Sequence, residues 1–144
     1  MLFASFTVEI QLSKTLNELT LTDCFKDKKV LITGGLGFIG SNLAIRLLKL
    51  GAYVTLLDAM IEGHGGNLFN IEPVRDDVIL NFSDIRDANS MNYIVRGKDY
   101  IFHLAGQNDH VLSLTNPFPD IDINIKGVIV SPIPLSIEFM RNTR

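Results

Sequence analysis

Residues 29–44 read KVLITGGLGFIGSNLA, in which a short apolar run leads into four glycines within seven positions and then into a segment with helical spacing. This order predicts a strand, a tight turn and a helix. Because the first N–H groups of a helix lack partners and carry partial positive charge, such a junction can hold a pyrophosphate where no side chain blocks the approach. Two registers fit, Gly35-x-Gly37-x-x-Gly40 and Gly34-x-x-Gly37-x-x-Gly40. In both, Gly37 lets the backbone meet the phosphate, and Gly40 lets helix and strand pack closely.

An acidic residue, Asp58, ends the next apolar run, Tyr53–Leu57. A carboxylate at this point can accept hydrogen bonds from the ribose of an adenosine. The 2′-phosphate of NADP would bring about two negative charges against it, and neither Ala59 nor Met60 could neutralise them. The sequence therefore favours NAD over NADP. The alternatives are an ordinary carboxylate at the end of a strand and a glycine turn that only packs.

Further apolar runs alternate with helical patterns. The runs Val78–Leu80 and Tyr100–Leu104 flank a helix that Asp87 can cap and that ends near Gly97. The segment Glu62–Pro73 contains three glycines and predicts a long irregular connection. Strands that are apolar throughout and alternate with helices are typical of a parallel sheet covered on both faces.

The composition is that of one domain with nearly balanced charge. The 144 residues include 13 Lys and Arg against 16 Asp and Glu, for a net charge of −3, which gives no cationic field to attract nucleic acid or anionic lipid. The single cysteine, Cys24, excludes an intramolecular disulfide. No run approaches the roughly 18 apolar residues of a transmembrane helix, and the N-terminus has no basic start of a signal peptide. We therefore predict a cytoplasmic protein that binds neither nucleic acid nor membrane.

Beyond the glycine turn, several motifs follow in the order of one known family. TGGLGFIG at residues 33–40 resembles the cofactor signature of the extended short-chain dehydrogenase/reductase family, whose members include NAD-dependent nucleotide-sugar epimerases and dehydratases. The resemblance covers residues 29–127. The other matching stretches are LD at 57–58, SDIRD at 83–87, HLAG at 103–106 and Asn124 within DINIKG.

This resemblance implies a Rossmann-type α/β fold, a doubly wound parallel sheet of which about the first half is present, with strand order 3-2-1-4. It implies the register with Gly34 for the pyrophosphate, Asp84 and Ile85 at the adenine, and main chain of Ala105 and Gly106 beneath the cofactor. Asn124 would support the site indirectly. The residues expected to hold NAD are Gly34, Gly37, Phe38, Ile39, Gly40, Asp58, Asp84, Ile85, Leu104, Ala105 and Gly106.

No catalytic or metal-binding residue is predicted. Members of the family use a Tyr-x-x-x-Lys pair, and none of the three tyrosines has a lysine four positions later. The three histidines do not form a metal-ligand pattern. His103 lies in a predicted strand and is expected to be a core histidine with satisfied hydrogen bonds.

The motifs divide the chain into an N-terminal extension (1–28), a partial NAD-binding domain (29–127) and a divergent tail (128–144), where prolines should end the last helix. Within the extension, apolar residues alternate from Phe6 to Leu12, which predicts either an added edge strand or a loosely held segment.

We therefore expect the NAD-binding portion of an epimerase or dehydratase with little or no turnover by itself. The stretch GHGGNLFN at residues 63–70 is similar to the sugar-nucleotide branch, which implies a nucleoside-diphosphate sugar as substrate of the complete family member. The alternatives are a non-catalytic dinucleotide-binding module and the remnant of an interrupted gene. An exposed edge on the fourth strand could also pair with another chain.

Overall fold

A computed structural model describes residues 20–62, 65–107 and 110–127. The predictions for Phe6–Leu12 and for residues 128–144 lie outside the described residues. Four parallel strands form one sheet in the order β3-β2-β1-β4, which confirms the predicted α/β fold and strand order. The strands are β1 Lys29–Thr33, β2 Tyr53–Leu57, β3 Val78–Asn81 and β4 Tyr100–His103.

Helical segments connect the strands. The helix Ala88–Ile94 begins as predicted, because the Asp87 side chain accepts a hydrogen bond from the Asn89 N–H at 3.0 Å. The helices α1 to α5 comprise residues 20–25, Phe38–Lys49, Ala88–Ile94, His110–Thr115 and Phe118–Asp120, and the last continues as a π-helix over Ile121–Lys126.

The connection between β2 and β3 corrects one prediction. The segment Leu68–Asp77 is a 3-10 helix with a kink at Val74, so the expected irregular connection over Glu62–Pro73 is wrong in its second half. Asn67 caps this helix by accepting a hydrogen bond from the Phe69 N–H at 2.9 Å. The glycines in this stretch favoured an irregular connection, whereas the helix depends on the burial of Ile71 against residues distant in sequence.

Both faces of the sheet are covered, as continuous apolar strands require. Successive residues of β1 point to opposite faces: Val30 and Ile32 pack in one cluster, and Leu31 packs in the other. The first cluster also contains Ala44 and Leu47 of α2 and Ile71 of the 3-10 helix, and the second contains Met91 and Ile94 of α3 with Ile85 and Ile123.

The strand register aligns the carboxyl ends of all four strands. Thr33 lies opposite Leu57 on one side and His103 on the other, and Leu57 lies opposite Asn81. The loops that follow these four residues therefore leave the sheet at the same edge. In open parallel sheets this edge is where ligands bind.

Candidate functional site

A cavity of about 440 Å³ opens at the carboxyl ends of the strands, within the usual size range of small-molecule sites. All eleven residues that the sequence predicted for a cofactor line it. The further lining residues are Leu57, Ala59, Ile61, Gly65, Gly66, Ser83 and Ile123. Several of these adjoin predicted positions in the sequence, whereas Ile123 reaches the cavity only through the packing of the last helical segment.

Glycine is required at several positions of the turn, for different structural reasons. Gly34 has φ +66°, and a Cβ there would lie 2.7 Å from the Ala105 nitrogen. A Cβ on Gly40 would collide with the Gly34 carbonyl oxygen, and a Cβ on Gly35 would lie 2.8 Å from the Leu56 side chain. These three positions exclude side chains because the protein itself occupies the space.

Gly37 is the exception among these glycines. The nearest atom to a Cβ at this position would be the Gly34 carbonyl oxygen at 3.3 Å, and its φ of −73° suits any residue. Gly37 lines the cavity, and Gly35 does not. The space that Gly37 leaves therefore belongs to the cavity, which favours the register Gly34, Gly37, Gly40 over the one that begins at Gly35.

Helix α2 begins at this cavity without a side-chain cap. Gly37 is its N-cap residue, no acidic residue stands in the first turn, and Phe38, Ile39 and Gly40 line the cavity. The first N–H groups of a helix have no partner within the helix and carry a partial positive charge. This end of the cavity is therefore suited to an anion such as a diphosphate.

Asp58 is fixed at the end of β2 by two main-chain donors. The Leu36 N–H donates to its Oδ2 at 3.1 Å, and the Met60 N–H donates to its Oδ1 at 3.0 Å. A carboxylate oxygen can accept two hydrogen bonds. Asp58 therefore keeps acceptor capacity for a ligand while its position relative to the glycine turn is set.

Asp84, which follows β3 and lines the cavity, has a partner that the sequence did not predict. Arg86 binds its carboxylate in a fork, with Nε at 2.9 Å from Oδ1 and Nη2 at 2.6 Å from Oδ2. The side-chain hydrogen bonds from Arg86 are the main cause that lowers the pKa of Asp84. The carboxylate does not stand alone, and a ligand amino group would have to share it with the guanidinium.

Thr33 joins β1 to the segment after β4. Its buried hydroxyl oxygen accepts hydrogen bonds from the Leu104 and Ala105 N–H groups, both at 3.2 Å, and lies 3.0 Å from His103 Nδ1. A hydroxyl can both donate and accept, so Thr33 can hydrogen-bond His103 Nδ1 whichever nitrogen of the ring carries the proton. The hydrogen bonds set the course of the chain beneath Gly34.

His103 differs from the expected satisfied core histidine. It is half-buried, and among the described residues its Nε2 is buried without a hydrogen-bond partner. Burial lowers the pKa of the imidazole because the charged form would lose hydration. The position in a strand was predicted correctly, but the hydrogen bonding of each ring nitrogen depends on neighbouring strands.

Asn124 holds the end of the same segment. Its Oδ1 accepts a hydrogen bond from the Gln107 N–H at 2.7 Å, and its Nδ2 donates to the Gln107 carbonyl at 2.9 Å. A Cβ on Gly106 would lie 3.2 Å from this Oδ1. The amide thus orders main chain that lines the cavity, in agreement with an indirect supporting role.

Comparison with known proteins identifies the family. The family model described as GDP-mannose 4,6 dehydratase matches residues 31–130. The chain belongs to this family. The predicted membership among the epimerases and dehydratases is confirmed.

The relatives are nucleotide-sugar enzymes by name. The chain is 36% identical over 104 residues to CDP-paratose 2-epimerase of Salmonella typhi, covering 70% of this chain and 30% of the relative. It is 33% identical over 102 residues to dTDP-glucose 4,6-dehydratase of Mycolicibacterium smegmatis, covering 69% of this chain and 30% of that protein. The chain thus spans about 30% of the length of these two curated relatives.

Solved structures agree with the fold. The epimerase Mth375 of Methanothermobacter thermautotrophicus matches with a TM-score of 0.71 at 31% identity, over 79% of this chain and 33% of that one. DesIV of Streptomyces venezuelae, a dTDP-glucose 4,6-dehydratase solved with NAD bound, matches with a TM-score of 0.65 at 31% identity, over 71% of this chain and 34% of that one. WbmF of Bordetella bronchiseptica, solved with NAD+, matches with a TM-score of 0.65 at 29% identity, over 74% of this chain and 31% of that one.

Residues 20–62, 65–107 and 110–127 contain no helix with the length and apolar character needed to cross a bilayer. Within the same ranges, no three His, Cys, Asp or Glu side chains are grouped so that they could hold a metal ion.

Replacing Thr33 by Val should destabilise the fold. The variant keeps the shape of the side chain but leaves the Ala105 N–H and His103 Nδ1 without the hydroxyl, whereas the Leu104 N–H still donates to the carbonyl of residue 33. The free energy of unfolding should fall by about 1–3 kcal/mol. Thr33→Ser keeps the hydroxyl and is the control. Urea unfolding of both variants measures the difference, and equal stability would show that the hydroxyl contributes nothing.

The stability of the wild type should depend on pH through His103. Because the pKa of His103 is lowered in the folded state, the unfolded chain binds the proton more readily below its ordinary value of about 6.5. The free energy of unfolding should therefore fall as the pH decreases from about 7.5 to 5. His103→Gln, which retains His64 and His110, should show a smaller fall in urea titrations, and an identical fall would contradict this account.

Proposed function

We propose that this cavity binds NAD and that the chain is the cofactor-binding portion of an epimerase or dehydratase acting on nucleotide sugars. The observation that carries the proposal is the start of α2, which has no side-chain cap and opens into a cavity that Gly37 lines. When bound, NAD would supply hydride transfer to and from a substrate carbon.

The diphosphate would lie against the main chain of the glycine turn and of the first turn of α2. The N–H groups at Phe38, Ile39 and Gly40 would face its negative charge, while Gly34 and Gly37 keep side chains out of the way. The attraction comes from the main chain of α2, because its basic residues, Arg46 and Lys49, stand in its last turn.

The adenosine would extend from this point toward β2 and β3. Asp58 would accept hydrogen bonds from the ribose, and its carboxylate would repel the 2′-phosphate of NADP. Asp84, paired with Arg86, and the main chain of Ile85 would face the adenine. The main chain of Leu104, Ala105 and Gly106 would run beneath the dinucleotide, where only small or main-chain atoms fit against Gly34.

The similar structures support NAD as the cofactor. DesIV and WbmF, both solved with NAD, share this fold at 31% and 29% identity. WbmF was also solved with UDP, and the UDP-glucose 4-epimerase of Thermotoga maritima with UDP-glucose. These ligands support a nucleoside-diphosphate sugar as the substrate class of the complete enzyme.

We propose that the chain alone has little or no turnover. Its 144 residues contain no Tyr-x-x-x-Lys sequence, and a general acid or base must lie within hydrogen-bond reach of the reacting proton. The same observation favours the second candidate, a dinucleotide-binding module without catalysis, because that function needs only the site within residues 29–127. Turnover of nucleoside-diphosphate sugars by the purified chain would contradict both the proposed lack of turnover and the module without catalysis.

The outer edge of β4 supports a further part of the proposal. Within the described sheet, β4 pairs only with β1, so its other edge could add a strand from another chain. This pairing would make the chain self-associate.

Isothermal titration calorimetry with NAD and NADP tests the cofactor assignment. The wild type should bind NAD at least about tenfold more tightly than NADP, and Asp58→Asn should bring the two affinities closer, because the repelling charge is gone. Asp76→Asn, at an exposed position in the 3-10 helix, makes the same chemical change away from the cavity and should leave the ratio unchanged. A folded wild type that releases no heat with millimolar NAD would overturn the proposal.

Gly37→Val should separate ligand binding from folding. Valine at an N-cap should cost about 1 kcal/mol of stability, while its methyl groups would occupy the space proposed for the diphosphate and weaken NAD binding at least about tenfold. Gly40→Ala is the contrasting variant, since its Cβ meets the Gly34 carbonyl and should lower the free energy of unfolding by about 1–3 kcal/mol. Unaltered NAD affinity in Gly37→Val would place the diphosphate elsewhere.

A further inference from the structure

We propose that Asn70, outside the cavity, is a positioning residue for the glycine turn and thereby for the diphosphate part of NAD. The inference rests on the proposed NAD site. It concerns a side chain that does not line the cavity and that acts through the main chain of Leu36.

Leu36 is held through its N–H, its side chain and its carbonyl oxygen. Its N–H donates to Asp58 Oδ2 at 3.1 Å, and its side chain is 1% exposed in the core. Its carbonyl oxygen accepts two hydrogen bonds, from the Asn67 N–H at 3.1 Å and from Asn70 Nδ2 at 2.8 Å. Both donors come from the segment between β2 and β3, which is distant in sequence.

Asn70 itself stands on a well-anchored segment. Its own N–H donates to the Asn67 carbonyl at 3.1 Å, and the next residue, Ile71, is fully buried beneath α2. The Asn67 side chain caps the same 3-10 helix. The amide of Asn70 is therefore presented to the turn from a packed element, which limits how far the contact can shift.

The contact sets the orientation of one peptide plane. The Leu36 carbonyl and the Gly37 N–H belong to the same planar peptide group and point in opposite directions. That N–H donates to the Gly34 carbonyl at 3.1 Å and closes the turn. Because Gly37 is also the N-cap of α2, holding the carbonyl orients both the turn and the first N–H groups of the helix.

The test compares Asn70→Ala with the wild type for two ligands. NAD contains the diphosphate, and adenosine lacks it. The loss of one of two hydrogen bonds to the Leu36 carbonyl should weaken NAD binding about three- to tenfold and leave adenosine affinity within about twofold, as measured by ligand-observed NMR. Asn92→Ala, exposed on α3, is the matched control and should change neither affinity.

A second measurement requires no ligand. Amide hydrogen exchange at Gly37 should be at least about threefold faster in Asn70→Ala than in Asn92→Ala, because the turn opens more readily. If Asn70→Ala does not fold, Asn70→Leu removes the donors while keeping the side-chain volume. Unchanged NAD affinity, or equal losses for NAD and adenosine, would overturn the positioning role. A wild type that fails to bind NAD would refute the proposed function. Hydrogen exchange at Gly37 would still test whether Asn70 holds the turn.

Discussion

The close approach of main chain to main chain at Gly34 is the constraint on which the cavity depends. Gly34 lies against the Ala105 backbone on one side, and Gly40 brings the start of α2 against the Gly34 carbonyl on the other. A side chain at either position would push the first helix or the segment after β4 away from the turn. The cavity exists because three pieces of bare backbone meet there, and the Thr33 hydroxyl ties two of them together.

Charges of opposite sign lie at different places around this backbone. The partial positive charge of a helix start lies at the glycine turn, while the carboxylates of Asp58 and Asp84 lie at the ends of β2 and β3. Two main-chain N–H groups donate hydrogen bonds to the Asp58 carboxylate, and the Arg86 guanidinium pairs with the Asp84 carboxylate. The ligand proposed above has a diphosphate in the middle and hydrogen-bond donors at one end, and these groups are complementary to this arrangement.

Much of this site could be predicted from short stretches of sequence. The glycine spacing and the alternation of apolar runs with helices indicated the cofactor turn, and the carboxylate after the second strand followed from its place in the pattern. The strand order and the remaining positions came from the resemblance to a known family. What escaped prediction has a common physical cause: the 3-10 helix at Leu68–Asp77 depends on burial of Ile71 against a distant cluster, and the role of Asn70 depends on a carbonyl 34 positions away.

The sequence by itself determined where a helix start would be free of side chains and where a carboxylate would follow a strand, because backbone freedom and local hydrogen-bonding capacity are properties of neighbouring residues. Only the tertiary structure decided which glycine excludes a side chain for packing and which leaves room for a ligand, and only it placed Asn70 on the Leu36 carbonyl and left His103 Nε2 without a partner in the described residues. These outcomes depend on distances between segments that are far apart along the chain, and such distances are set when the sheet forms and its two faces are covered.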